Sequence, residues 1–158
     1  MLREKEKKRV SEKNGHALPQ KALNGLNGYR PTDKEPFMNE KQREYFRAKL
    51  QMWKDEILRE ARDTLQHLQD ENQNHPDLAD RASSETDRAI ELRARDRQRK
   101  LIAKIDAAIQ RIDDGSYGFC EETGEPIALK RLEARPIATL SIEAQERHER
   151  RERVYRDD

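Results

Sequence analysis

The sequence has few of the residues from which a thick globular core is built. Of its 158 residues, 33% are hydrophobic and 5% are aromatic, whereas 41% are charged. Helices that each bury one narrow apolar stripe suit this composition better than a layered globular fold. The sequence shows no apolar run long enough to cross a bilayer and no apolar signal-peptide core near residue 1. A cytoplasmic protein without membrane contact is therefore expected.

Cysteine and an excess of one charge are also lacking. The single cysteine, Cys120, excludes a disulfide within the chain and fits a reducing compartment. Lys and Arg number 33 and Asp and Glu 32, so the formal net charge of +1 argues against nucleic-acid binding through bulk charge. The sequence shows no phosphate loop, nucleophile–base pair or DNA-recognition helix. Neither an enzyme nor a sequence-specific DNA reader is expected.

A helix with one apolar stripe is predicted after a polar N-terminal segment. Residues 1–36 contain scattered Gly, Pro and Asn without a sustained apolar period, which predicts a flexible N-terminal arm. Asn39 is a suitable N-cap, and Gln42 stands where a capping box requires Glu or Gln. From there to about residue 72, apolar residues recur every three or four positions: Phe46, Leu50, Trp53, Ile57, Ala61, Leu65 and Leu68.

A second long helix is predicted from about Asp80 to Asp113, after the break at Pro76. Its stripe consists of Ile102, Ile105, Ile109 and Ile112, and is expected to continue through Ala89 and Leu92 before it meets Asp96 and Arg99. Each helix has about 34 residues and is about 50 Å long. A short connection between them predicts an antiparallel coiled-coil hairpin over 37–113, with its tip at 72–80.

The remainder predicts a small head, 114–140, followed by a C-terminal helix and tail, 141–158. Residues 116–128 are expected to form a small hairpin that turns at Thr123-Gly124. A short helical piece is expected over 129–135, ending before Pro136. Ser141 is suited to cap a last helix from 142 to about 154. Together with the last helix this part has about 40 residues, which is below the size at which a core usually stabilises itself unaided.

Four segments of the sequence resemble the DksA/TraR family. The string DGSYGFCEETGEPIALKRLEARPIATLSIEAQ is similar to the family's zinc-finger head. EPFMNEKQREYFRAKL, NHPDLADRAS and ELRARDRQRKLIAKID resemble its first helix, tip and second helix. The resemblance covers roughly residues 36–156 and implies a mainly α fold, in which an antiparallel coiled-coil hairpin carries a zinc-finger-like head and a C-terminal helix.

The family's zinc ligands are mostly missing from this head. Its two C-x2-C pairs fall on four positions that we call the ligand quartet: Cys120, Thr123, Ser141 and Ala144. Structural zinc requires four thiolate or imidazole ligands, so a degenerate head without zinc is expected, and His148 alone does not complete the set. Packing is expected to replace the metal through Tyr117, Phe119, Ile127, Leu132, Ile137 and Leu140.

The resemblance implies a monomeric transcription regulator that binds RNA polymerase through its secondary channel. Such a factor destabilises promoter open complexes, at ribosomal RNA promoters among others, together with the alarmone ppGpp. The effector positions at the family's tip fall on Asn74, Asp77, Asp80 and Ala82. Two carboxylates at the end of a rod about 50 Å long are suited to reach into a narrow pore and perturb a metal centre there.

The family's contacts to ppGpp fall on Leu101, Lys104, Arg135 and Gln145. Lys104 and Arg135 suit phosphate recognition as cations. Gln145 stands where the family often has lysine, which implies weaker nucleotide binding unless Arg147 compensates. From the residues alone, Lys104 and Arg135 are explained as solvated surface charges, and only the resemblance selects them.

Other interpretations of the same residues remain open. Asp80 also suits the N-cap of the second helix, and Asp77 suits an ordinary turn after Pro76. The two carboxylates fit a transcript-cleavage factor as well, although the head does not resemble the globular domain of such factors. A coiled-coil adaptor without a polymerase role explains the helical periodicity, but not the similarity of tip and head.

Overall fold

The structure is a computed structural model that describes residues 28–72 and 78–156. The helices of this part are α1 (Glu40–Asn72), α2 (Leu78–Asp114), α3 (Leu129–Ala134) and α4 (Ile142–Arg156). Its β-structure is confined to one antiparallel bridge between Phe119 and Pro126. The predicted mainly α fold class is confirmed. None of the helices described combines the length and the apolar character that crossing a bilayer requires.

The chain divides into two compact units. The first comprises Met1–Leu50 with Ala108–Asp158, and the second comprises Gln51–Ala107. The first therefore holds the start of α1, the end of α2, and both short C-terminal helices. The second consists of the remaining parts of α1 and α2.

The predicted capping box starts α1, with one change of partner. The Asn39 side-chain oxygen accepts a hydrogen bond from the backbone N–H of Gln42 at 2.9 Å. The Gln42 side-chain oxygen accepts from the backbone N–H of Met38 at 2.8 Å, rather than from that of Asn39. Two N–H groups at the helix start are thereby satisfied, which is the physical purpose of such a box.

Part of the predicted flexible arm packs against the start of α1. The Tyr29 hydroxyl donates to the Glu35 carboxylate, and the Tyr29 ring meets Tyr45 edge-on with ring centroids 6.3 Å apart. The buried amide of Gln42 donates to the Thr32 carbonyl at 3.3 Å. Partial burial and the hydrogen bond to Glu35 raise the pKa of Tyr29 to about 12. Residues of the predicted arm from Tyr29 onward therefore contact α1, while residues 1–27 lie outside the described residues.

The core of the first unit joins the base of the helices to the head. Its largest buried apolar side chains, each 1% exposed or less, are Phe46, Leu50, Ile112, Tyr117, Ile127 and Leu132. The rings of Phe46 and Tyr117 lie 5.6 Å apart. Three of the six residues expected to replace zinc are therefore buried. Phe119 is 38% exposed, and Ile137 and Leu140 are half-buried.

The predicted hairpin of the head is reduced to a tight turn around the single bridge. The Gly124 N–H donates to the Cys120 carbonyl at 2.8 Å, and the Ile127 N–H donates to the Gly118 carbonyl at 2.7 Å. Gly118 has a φ of 88°, and a Cβ there would lie 3.0 Å from the Met38 side chain. A side chain at this position would therefore face both backbone strain and a close contact.

The second unit is an antiparallel helix pair, as predicted. Lys54 of α1 forms an ion pair with Asp106 of α2 at 2.7 Å. Further along α1, Leu65 lines a shallow groove together with Leu92 of α2. Residue numbers rise along one helix as they fall along the other, which defines the antiparallel direction. Ile57 and Ile105 are the buried apolar residues of this pair, at 5% and 0% exposed.

The predicted stripe in the N-terminal half of α2 is wrong by one residue. Leu92 is 64% exposed, and Ala89, Asp96 and Arg99 are exposed as well. The half-buried positions are instead Ser84, Glu91, Ala94, Arg95 and Gln98. A heptad counted back from Ile105 and Ile102 reaches Gln98, Arg95 and Glu91. The prediction followed apolar residue types, whereas the helical register places long polar side chains on the inner face.

Candidate functional site

The ligand quartet is centred on Cys120, and its other three residues are not cysteines. The Cys120 thiol is 2% exposed. Hydrogen bonding from the Thr123 side chain and from the backbone N–H groups of Ser141, Thr123 and Glu122 lowers the pKa of this thiol. The Glu121 N–H donates to the Thr139 carbonyl at 2.9 Å, which joins the two halves of the head. The first three quartet positions therefore remain close together.

Those hydrogen bonds change the acidity of the thiol. Burial raises the pKa of Cys120, and the hydrogen bonds from Thr123 and from the backbone N–H groups outweigh that effect. The net result is a pKa of about 6, below the ordinary value of 9.0. The thiolate is stabilised in place by donors of the protein itself.

The other quartet residues serve local structure. The Thr123 hydroxyl accepts from the Glu125 N–H at 3.3 Å, which supports the turn. The Ser141 hydroxyl accepts from the Ala144 N–H at 3.3 Å and so caps α4, as predicted. Ala144 is fully buried.

The quartet does not fit tetrahedral zinc, because it offers one thiol, two hydroxyls and one methyl group. Within residues 28–72 and 78–156, no group of three or more His, Cys, Asp or Glu side chains is placed to hold a metal ion. His148, considered above as a replacement ligand, instead lies 3.4 Å from the Glu152 carboxylate on α4. The head is in contact with α1 through the Phe46 and Tyr117 rings and through Lys49 and Glu133.

The predicted tip is only partly described. Asn74 and Asp77 lie outside the described residues. Asp80 and Ala82 belong to the start of α2, which begins at Leu78. Asp80 is therefore the third helical residue rather than the N-cap that its position suggested. A carboxylate in the first turn of a helix still interacts favourably with the helix dipole.

The predicted nucleotide contacts are divided between the two units. Leu101 and Lys104 belong to the α2 part of the second unit, where Leu101 is half-buried and Lys104 is exposed. Arg135 follows α3 in the first unit and is exposed. Gln145 lies on α4 in the same unit, and its amide donates to Glu149 at 3.0 Å. The suggested substitute for Gln145, Arg147, lies 3.8 Å from Glu122.

Sequence reasoning missed a buried cation at the base of the helices. Lys49 is 5% exposed, and its ammonium donates to the Glu133 carbonyl at 2.6 Å and to the Glu133 carboxylate at 2.8 Å. The Tyr45 hydroxyl donates to the same carboxylate at 3.2 Å. Burial, and then this hydrogen bond, raises the pKa of Tyr45. The one available signal was that Lys49 is three residues from Phe46, on the apolar side of α1.

Comparison with known proteins gives consistent matches over most of the chain. Residues 42–112 match the family described as "DnaK suppressor protein DksA, N-terminal domain". Residues 115–150 match "Prokaryotic dksA/traR C4-type zinc finger". The second match covers the whole ligand quartet, three of whose positions lack cysteine.

Individual relatives agree with these matches. The "RNA polymerase-binding transcription factor DksA" of Caulobacter vibrioides is 74% identical over 130 residues, which are 82% of this chain and 92% of that protein. The protein of the same name from Escherichia coli K12 is 42% identical over 132 residues, 84% of this chain and 87% of the relative. The solved structure of transcription factor DksA2 from Pseudomonas aeruginosa has a TM-score of 0.70 and 42% identity, with 83% of this chain and 98% of that one covered.

Proposed function

Because the chain belongs to the DksA/TraR family, we propose that it is an RNA polymerase-binding regulator of transcription and not itself an enzyme. The observation that carries the proposal is 74% identity, over 82% of the chain, to a relative named for RNA polymerase binding. The match includes both helices of the hairpin and the head. With RNA polymerase as the partner, the protein works in the cytoplasm.

In the proposed mechanism, the helical hairpin enters the secondary channel of the polymerase. Helix α1 has 33 residues, so it is about 50 Å long at 1.5 Å per residue. Asp77 and Asp80, at the connection between the helices, approach the polymerase active-site region. There the two carboxylates favour a polymerase state that holds promoter DNA less well. The factor shifts the open complex only to the extent that it binds the two states with different affinity.

Neutralising the tip separates binding from regulation. Asp77→Asn and Asp80→Asn are expected to keep polymerase affinity and to lose the shortening of open-complex lifetime. Loss of the Asp80 charge near a helix start weakens the helix by only about 0.3–1 kcal/mol, so the variants stay folded. Asp70→Asn, the same change at an exposed site on α1, is the matched control and should regulate normally. Normal regulation by both tip variants would contradict the mechanism.

The co-regulator is proposed to be ppGpp, bound where the factor meets the polymerase. Lys104 and Arg135 supply positive charge to its phosphates, and Leu101 and Gln145 complete the contact. The supporting observation is that Lys104 and Arg135 are both exposed cations, which are available to an anion. Lys104→Ala should abolish the additional effect of ppGpp while the effect without nucleotide persists. Equal stimulation by ppGpp in wild type and Lys104→Ala would refute this assignment.

The protein is further proposed to work without zinc. Support comes from the donor set of the quartet, in which Ala144 offers no lone pair, and from the buried apolar core of the head. Regulation of open complexes should therefore persist after extensive chelation. A loss of activity on chelation that added zinc restores would contradict the proposal.

A further inference from the structure

On one face of α2, the exposed residue Leu92 lies among charged residues that follow a regular order. Leu92 is 64% exposed, and its neighbour across the groove, Leu65, is 40% exposed. An exposed leucine by itself is common. Charged residues lie on both sides of Leu92: Arg88 and Asp96 are four residues before and after it, and Glu85 and Arg99 are seven residues before and after it.

These five residues share one face of the helix, because positions four and seven residues apart stack on the same side. We call this face the Leu92 flank, consisting of Glu85, Arg88, Leu92, Asp96 and Arg99. All five are exposed. The face lies beside the inner stripe of the helix pair rather than on it. At four and at seven residues from Leu92, the residue before it and the residue after it carry opposite charges.

This antisymmetry fits a second copy of the same helix in one orientation. In a two-fold contact, residue i of one copy meets residue j of the other, and j meets i. With two α2 helices antiparallel and Leu92 on the axis, Glu85 of each copy faces Arg99 of the other. Arg88 of each copy likewise faces Asp96 of the other. A parallel arrangement would instead place Glu85 against Glu85 and Arg99 against Arg99, which is repulsive.

We propose that two copies of the chain associate reversibly through the Leu92 flank, with antiparallel α2 helices and Leu92 against Leu92. The apolar part of the contact is small, and stable dimers bury about 1,200–2,000 Å² in total. The association is therefore weak and depends on concentration, and the expected monomer is the dilute form. Salt weakens it, because exposed ion pairs are screened. Within one copy Asp96 already pairs with Lys100 at 3.0 Å, and Arg88 also has a partner of its own, so the pairs between Glu85 and Arg99 decide the orientation.

Self-association has a consequence that rests on the proposed function. The Leu92 flank lies on the same hairpin that is proposed to enter the polymerase. Two paired hairpins are too broad to enter a narrow channel. At high concentration, association therefore keeps part of the factor from entering the polymerase. The pairing itself does not depend on that function and is tested without polymerase.

Sedimentation equilibrium of the full chain at low salt, over a range of concentrations, tests the pairing. The wild type should show a mass that rises with concentration. Arg99→Glu and Glu85→Arg should each raise the dissociation constant at least about tenfold, because ion pairs become like-charge contacts. A one-to-one mixture of these two variants should associate again, since opposite charges then face each other at both contacts between position 85 of one chain and position 99 of the other.

Arg59→Glu is the matched control, because it makes the same charge change at an exposed position on α1. It should leave the association unchanged. A wild type that stays monomeric at every concentration would overturn the proposal. So would an Arg59→Glu variant as impaired as Arg99→Glu, or a mixture that fails to associate. If Arg99→Glu weakens only polymerase binding and not self-association, the flank serves the polymerase and the pairing is refuted, while the proposed function stands.

Discussion

Lys49→Met is expected to destabilise the first unit by about 1–2 kcal/mol. The substitution keeps the length of the side chain and removes a buried ammonium that donates to the Glu133 carbonyl at 2.6 Å and to its carboxylate at 2.8 Å. The Glu133 side chain is 36% exposed, so its carboxylate regains water when the lysine is lost. That exposure places the loss at the lower end of the range for hydrogen bonds to charged groups, which extends to about 3 kcal/mol.

Glu133→Ala should cost more, about 3 kcal/mol, because it leaves the Lys49 ammonium buried with only the backbone carbonyl as a partner. The Lys49 side chain is 6% exposed, so water does not readily replace the carboxylate. The double variant should be nearer to Lys49→Met than to the sum of the two changes, since each change removes the same contact.

Urea unfolding followed by circular dichroism at 222 nm measures these differences, and for Lys49→Met the melting temperature should fall by about 2–8 °C. Lys54→Met is the matched control. Lys54 pairs with Asp106 at a comparable distance of 2.7 Å, but the two side chains are 26% and 50% exposed. Pairs of this kind contribute up to about 1 kcal/mol. A loss for Lys54→Met as large as that for Lys49→Met, or a Glu133→Ala variant more stable than Lys49→Met, would refute the reasoning from burial.

Three further predictions concern the head. Tyr117→Phe should cost about 1–2 kcal/mol in urea unfolding, since the Tyr117 hydroxyl donates to the buried Pro136 carbonyl at 2.7 Å; an unchanged midpoint would show that water replaces the hydroxyl. Cysteine at the three quartet positions that lack it should create a Co²⁺ site with thiolate charge-transfer absorption, whereas chelators should not change the wild-type melting temperature; failure to bind cobalt would mean that the quartet no longer has tetrahedral geometry. Because the pKa of Cys120 is lowered to about 6, its contribution to stability is complete above pH 9, the unfolded value, and is lost as the pH falls through 6. The wild type should therefore gain stability relative to Cys120→Ser between pH 6 and 9, and parallel pH profiles would contradict the shift.

Local signals marked the starts of α1 and α4 and the end of α2, but not the start of α2, where Asp80 was the suggested N-cap. Asn39 and Gln42 cap α1, and Ser141 caps α4, through hydrogen bonds that span three or four residues. Gly115, with a φ of 84°, follows the last residue of α2. Such signals act within one turn and are visible in a short window of sequence.

Features that depend on distant residues were not predictable in the same way. Lys49 and Glu133 are 84 positions apart, and no local pattern connects them. The inner stripe of α2 was misjudged because apolar Leu92 is adjacent to the true position, Glu91, whose long side chain occupies the inner face. The apolar residue type favoured Leu92 for the inner face, whereas the heptad register favoured Glu91. The structure follows the heptad register. The ligand quartet, by contrast, was located through the resemblance of the head to the DksA/TraR family, because only one of its four positions is a cysteine.

The lifetime of open complexes at a ribosomal RNA promoter tests the proposed regulation most directly. Purified polymerase is measured alone, with this protein, and with the protein and ppGpp, each before and after chelation. The lifetime should shorten with the protein, shorten further with ppGpp, and show the same change after chelation. Unchanged lifetimes in the presence of saturating protein would contradict the proposed function, and faster cleavage of stalled transcripts in the same preparation would point to a cleavage factor instead.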